Sequence, residues 1–500
     1  MSSPANRRWR LPAAILIAVL AIVGIFTWWE LFRVVPQDDA ILKDPALKFK
    51  YGSLGSEGDR GLPYLIWLVL PRVFPDLLPG PGGYKAFGVV WEEGQEMPVG
   101  FSKKTIGVFP RVTNNCALCH ATTWRESEDS PINVQIAGGA HTTNVQGMIR
   151  FLSRAAQDPR FSAATLMPEI EQVSSNAYGN GGLSWLDRQI YRYLLIPFTR
   201  MGLREQQRLF AWMEHEPNGT SKPDWGPGRD DPMNLTKYFM TQLPMDATVG
   251  QADFPSIWNL KVRRGPGLLL NWSGDTPSTL SVLMDSALGL GAPPQPWFIE
   301  RMHELDDWLG EFPPPKYPSA FPIDMALAAQ GQPLYAQYCA ECHDVGGKYT
   351  NKIIPLAEIG TDRERMLSWN GEAAKEANRR VREMGIDRPP MIETNPTGYQ
   401  SPPLDGVWLR APYLHHGTVP TLWDLLQPED KRPKQFHRGY DVFDPVKVGF
   451  ESDTPMARRR GFLLDTTQRG NGNGGHSGAK YGTELSDPQK RALVEYMKTL

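Results

Sequence analysis

The chain has 500 residues, more than one ordinary hydrophobic core serves, so two or more domains are expected. Its 41% hydrophobic and 22% charged residues exclude a disordered chain. A formal net charge of -2, with no basic run interleaved with aromatics, excludes a nucleic-acid partner.

From the start of the chain, Arg7, Arg8 and Arg10 precede an uncharged apolar run from Leu11 to Trp29. As a helix that run is long enough to span a bilayer core. Positive residues stay on the cytoplasmic side, so 1–10 is expected as a cytoplasmic tail and 11–29 as a transmembrane anchor, with Trp28 and Trp29 in an interfacial belt. A cleaved leader is the competing reading, but Phe26 to Glu30 makes a poor cleavage site. Residues 30–110 are rich in Gly, Pro and aromatics and read as irregular structure.

Four cysteines follow, as Cys116-Ala-Leu-Cys119-His120 and Cys339-Ala-Glu-Cys342-His343, with none left over. Two redox CxxC motifs or two disulfides would leave the histidine unexplained twice, in a chain with only 9 His. A zinc site of four sulfurs would not demand a His after each pair. CxxCH is the attachment pattern of c-type haem: two thiols add to the two vinyl groups of one porphyrin, and the next residue supplies the axial imidazole. Two covalently bound haem c groups are therefore expected, held by Cys116, Cys119 and His120 and by Cys339, Cys342 and His343. Covalent haem attachment outside the cytoplasm agrees with the anchor. The expected location is a bacterial inner membrane, single-pass, with the haem domains in the periplasm.

Between the motifs, Met148, Ile149, Phe151, Leu152 and Ala155 repeat with helical spacing, as do Leu183, Leu186, Ile190, Tyr193 and Leu194. His141 and Met148 are the nearest candidates for a sixth ligand at the first haem, and an open position is the expectation. Pro313 to Pro315 and Pro318 break the pattern and read as a domain linker. Domains are expected at 30–315 and 316–500. In the second, Met325 to Tyr335, with Gly331 within it, leads into Cys339 and resembles the first helix of a cytochrome c domain, where a small residue and an aromatic pack against the final helix. That final helix is capped at Ser486 or Asp487, with Pro488 in its first turn and Ala492, Leu493, Tyr496, Met497 and Leu500 on one face. The Gly-rich stretch 470–475 lacks the features of a phosphate loop and reads as a tight turn near a haem edge.

Ala411-Pro-Tyr-Leu-His415-His416-Gly417 resembles the APYxH(D/N)G signature of the bacterial di-haem cytochrome c peroxidase superfamily. Phe254 to Asn259, Leu269 to Gly274, Phe436 to Asp441 and Gly470 to His476 are similar to its haem-dependent rubber oxygenase branch. The resemblance runs from roughly 95 to 500. It implies a mainly α fold of two cytochrome c-like haem domains with long irregular loops, to which the sequence adds one N-terminal transmembrane helix. It implies His415 as distal ligand of the second haem, His120, His343 and His415 thus binding iron, and Trp258 or Trp272 as a catalytic or electron-relay residue. It further implies a haem-dependent oxidoreductase, reacting with peroxide or dioxygen at the first haem and transferring electrons through the second. Pure electron transfer between a membrane dehydrogenase and an acceptor, and an oxygenase cleaving an apolar substrate, are the alternatives. Expected partners are an electron donor or acceptor protein, a small-molecule oxidant or substrate, and the inner membrane through the N-terminal helix.

Overall fold

The structure, a computed structural model, describes residues 5–177 and 182–500. Residues 1–4 of the expected tail, and the side chains of Arg7, Arg8 and Arg10, lie outside what is described. The first helix runs Ala5–Phe32. Among the described residues no helix is long and apolar enough to cross a membrane. The expected transmembrane anchor over 11–29 is corrected accordingly.

The expected mainly α fold is corrected as well. The chain is about 45% helical with small scattered sheets. Among the described residues one sheet has three strands and the others have two. The reason lies in the Gly- and Pro-rich segments, which form short antiparallel ladders where loops were expected. Phe101–Ile106 pairs with Phe109–Asn114 around the turn at Gly107, and Leu62–Pro63 adds a third strand. This sheet carries the chain into Cys116. Gly100 is required beside it, because a Cβ there would lie 2.3 Å from the Leu118 Cα and its φ is +89°.

The main hydrophobic core joins residues from both halves, among them Trp67, Phe151, Trp258, Trp369, Trp408 and Leu493. Helix Tyr64–Val73 is buried on several faces, and Trp67 stacks on Tyr84 at 4.4 Å. Helix Val145–Gln157 forms as its periodicity predicts, burying Met148, Phe151 and Ala155. The next pattern behaves differently. Helix Trp185–Ile190 passes into a wide π turn over Tyr191–Leu195 before helix Ile196–Leu209. The extra residue rotates the helical register. Tyr191 and Ile196 are buried, while Leu186, Tyr193 and Leu194 face solvent.

In the C-terminal part, helix Met325–Tyr338 leads directly into Cys339 and packs on helix Asp487–Met497. A Cβ on Gly331 would lie 2.0 Å from the Ala492 carbonyl oxygen, so the backbones meet there, and Tyr335 packs on Tyr496 at 5.1 Å. Ser486 and Gln489 form a capping box at the start of the last helix, with Pro488 in its first turn. The proline-rich stretch after helix Pro296–Glu311 lies along this part of the molecule, where the Pro315 carbonyl accepts from Trp408 Nε1 at 3.0 Å.

Candidate functional site

The first motif begins a 3₁₀ turn, Cys116–Leu118, capped by Asn115, whose side chain accepts from the Ala117 amide and donates to the Gly52 carbonyl at 2.9 Å. His120 follows, and its Nδ1 lies 3.0 Å from the Pro255 carbonyl oxygen. Enclosure pushes the imidazole down to about 4, so it is neutral at physiological pH. The four cysteines are free of disulfides. Burial pushes the Cys116 thiol up to about 11 and that of Cys339 up to about 12.

The second motif repeats the design. The His343 Nδ1 lies 2.7 Å from the Pro402 carbonyl oxygen, and burial lowers its pKa. Such a bond fixes the tautomer and leaves Nε2 as the nitrogen that could bind a metal. His343, Cys339 and Cys342 line one cavity with Trp272, Arg263, Arg410, His415 and His476. The rings of His343 and His476 stand 6.3 Å apart at 50°. A metal–imidazole bond is about 2 Å. Two such bonds, with half a ring on either side, span about this distance.

His476 is presented by the Gly-rich stretch. Its amide donates to the Ile359 carbonyl at 2.7 Å, and its ring packs on Tyr481 at 4.6 Å. The Arg432 guanidinium donates to the carbonyls of Asn473, Gly475 and His476. Gly475, at φ +74°, leaves no room for a Cβ against Gly360. The turn is thus a held loop that sets an imidazole beside His343. The reading of 470–475 as a turn near a haem edge stopped one residue short of this ligand candidate.

His415 lies in the wall of the same cavity, stacked between Tyr399 at 3.9 Å and His416 at 4.0 Å, and its Nε2 is buried without a partner. His416 Nε2 lies 2.8 Å from the Gly472 carbonyl oxygen. Asp362, His415 and His416 hold ligand atoms within 4.8 Å of one another. A metal must lie in the plane of each imidazole it binds. The two rings are parallel within 5° and stacked, so they cannot converge on one ion.

Trp258 is fully buried between the two motifs. Its Nε1 donates to the Asp405 carbonyl at 3.1 Å, and the Arg410 guanidinium lies 5.3 Å over its ring. Gly138, two residues before the Ala140 amide that donates to the Cys119 carbonyl, packs against its other edge. Trp272 donates from Nε1 to the Asp253 carbonyl at 3.2 Å. Of the candidates for the sixth position at the first motif, Met148 is a core residue. His141 stacks on Phe450 at 3.6 Å, with its Nδ1 3.1 Å from Thr122 Oγ1. Two enclosed carboxyls escaped the sequence reading. Burial and then Asp231 raise Asp230 to about 7, and its charge acts on Cys119. Burial raises Asp253 to about 6 although Arg438 lies 2.6 Å away. Neither has a motif around it; only folding brings it to the site.

Comparison with known proteins bears on one segment in particular. Residues 398–437 match the family described as RoxA-like, cytochrome c-like. The match covers Tyr399, His415, His416 and the Pro402 carbonyl that orients His343. It supports a relationship to RoxA-like cytochromes c, implies haem c, and is consistent with a haem-dependent oxidoreductase. The chain is also similar to two proteins of Sinorhizobium fredii (strain NBRC 101917 / NGR234), named uncharacterized proteins y4iM and y4iJ. It is 28% identical to the first over 333 residues, 57% of this chain and 72% of that protein. It is 31% identical to the second over 255 residues, 37% of this chain and 41% of that protein. The chain thus spans less than half the length of y4iJ.

Proposed function

We propose that the chain is a two-haem c-type cytochrome that works as an oxidoreductase. Electrons pass through a haem held by Cys339, Cys342, His343 and His476. A small oxidant, peroxide or dioxygen, is handled at a haem held by Cys116, Cys119 and His120. The observation that carries this reading is the pair of facing imidazoles, His343 and His476, across a cavity lined by Cys339 and Cys342. The spacing of the His476 ring from His343 supports His476 as the distal ligand in preference to His415, whose ring is stacked between Tyr399 and His416.

Bound haem supplies the electron transfer and the small-molecule redox chemistry. The chain's own residues position it. Pro255 and Pro402 orient the two proximal imidazoles, and enclosure keeps both neutral. Trp258 fills the space between the motif regions and excludes water there. The ring beside His120 belongs to Phe254, which has no ligating atom, and His141 is pinned by Phe450 and Thr122. Both support an open position at the first haem. An electron donor or acceptor protein is the expected partner, in a periplasmic setting where covalent attachment takes place.

The test is electron paramagnetic resonance of the oxidised protein before and after adding cyanide. One low-spin signal that ignores cyanide, beside one high-spin signal that converts, is expected. Two low-spin signals unmoved by cyanide, as isolated and after partial reduction, would replace this reading with electron transfer alone.

A further inference from the structure

Arg263 is 6% exposed, yet among the described residues its side chain forms no hydrogen bond or ion pair, and its Nε is buried without a partner. It lines the cavity that contains His343, Cys339 and Cys342. Arg410 lines the same cavity and is close enough to Arg263 for the two charges to repel. One carboxylate, Asp405, serves this pair, and it is already used. Its Oδ1 accepts from Arg410 Nη2 at 2.6 Å, and its Oδ2 accepts from Asn259 Nδ2 at 3.0 Å. The other carboxylates of the cavity wall also have cations of their own: Asp253 has Arg438, Glu341 has Lys348, and Glu358 has Lys480. A guanidinium enclosed without a counter-charge is costly, far more so than one that is paired and hydrogen-bonded. Burial and the facing Arg410 push Arg263 down to about 10, which still leaves it charged at neutral pH. The cavity therefore holds one cation more than its own side chains neutralise.

We propose that Arg263 and Arg410 form a carboxylate clamp that receives a propionate of the haem attached at Cys339 and Cys342. The planar fork of a guanidinium matches a carboxylate. Arg263 offers its fork, while Arg410, whose Nη1 and Nη2 already donate to the Pro403 carbonyl and to Asp405, adds its charge and its unpartnered Nε. Arg410 lies in the part of the chain that carries the second motif. Arg263 comes from the far side of the proline-rich stretch, in the 3₁₀ turn Leu260–Arg263 just after Trp258. It thus ties the first part of the chain to the cofactor of the second. The clamp rests on the reading of the second motif as a haem site. Its consequence is electrostatic. A cation beside the haem favours the reduced form, so Arg263 raises the potential of that haem.

The experiment is spectroelectrochemical titration of the full, haem-loaded chain in wild type, Arg263→Met and Arg263→Lys. Mass analysis of the Cys339–Cys342 peptide accompanies it. The clamp predicts that Arg263→Met keeps both haems, and that the potential of the low-spin haem falls while that of the other haem moves less. Arg263→Lys, which retains the charge, should lie between Arg263→Met and wild type. An Arg263→Met protein with both haems and an unchanged low-spin potential would overturn the clamp alone. A wild-type peptide carrying no haem would overturn the haem reading and the clamp with it. A wild-type potential that responds to added acetate, where Arg263→Met does not, would assign the site to a free carboxylate and overturn the propionate.

Discussion

At the scale of single residues, the decisive contact is between two imidazoles that lie far apart in the chain. His343 is oriented by the Pro402 carbonyl and His476 by a loop tied to Arg432. If they close one iron, His476→Ala leaves that iron with five ligands. The low-spin ferric signal should then give way to a high-spin one that cyanide converts, whereas His415→Ala should keep the low-spin signal. The reverse result would return the ligand role to His415. Asp230 yields a second residue-scale prediction, by linkage. Enclosure raises its folded-state pKa from 3.8 to about 7, so the folded chain binds a proton that the unfolded chain has released. The protonated carboxyl fits the site and the ionised one does not. Stability from this group is thus fully present below about pH 4 and is lost as pH rises towards about 7. Asp230→Asn should be more stable than wild type above pH 7 and equal to it near pH 4 in denaturant titrations at a series of pH values.

At the scale of elements, the crossing of helix Met325–Tyr338 on helix Asp487–Met497 depends on Gly331. The missing Cβ lets the Ala492 carbonyl approach to a distance that any side chain would block. Gly331→Ala should force the helices apart and cost about 1–3 kcal/mol, as overpacked cores do. Urea denaturation measures this, and an unchanged midpoint would show that the helices can shift freely. The loop that ends in His476 is held by one guanidinium, which donates to four carbonyls, those of Leu425, Asn473, Gly475 and His476. Arg432→Met leaves those oxygens without that donor. The expected result is a mixture of low- and high-spin signal from the second haem, because the imidazole is no longer fixed.

For the whole molecule, Trp258 is one of the residues through which the two motif regions meet. It is fully buried, bonded to the Asp405 carbonyl and covered by Arg410 on the side of the second motif, and packed on Gly138 on the side of the first. Trp258→Phe removes the indole donor and leaves the Asp405 carbonyl without it, which costs about 1–3 kcal/mol. Electron exchange between the haems, followed by rapid mixing with a reductant, should slow. An exchange rate equal to wild type would reduce Trp258 to a packing residue.

The CxxCH motifs and the capped last helix were legible in the sequence, because each is written in residues a few positions apart. The orientation of Trp185 to Leu209 was not, since a single wide turn rotated a regular pattern. Nor were the short strand pairs within the Gly- and Pro-rich stretches, where partner choice outweighs local preference.

What the sequence by itself determined is therefore the local pattern: which cysteines stand as CxxC pairs, and which histidine follows each pair. Only the tertiary structure decided which distant groups stand against those motifs. Pro255 meets His120, Pro402 and His476 meet His343, and Arg263 comes to face Arg410. The physical reason is that covalent neighbours are set by the order of residues, whereas a ligand, a carbonyl or a counter-charge that arrives through space is set by packing the whole chain around one core.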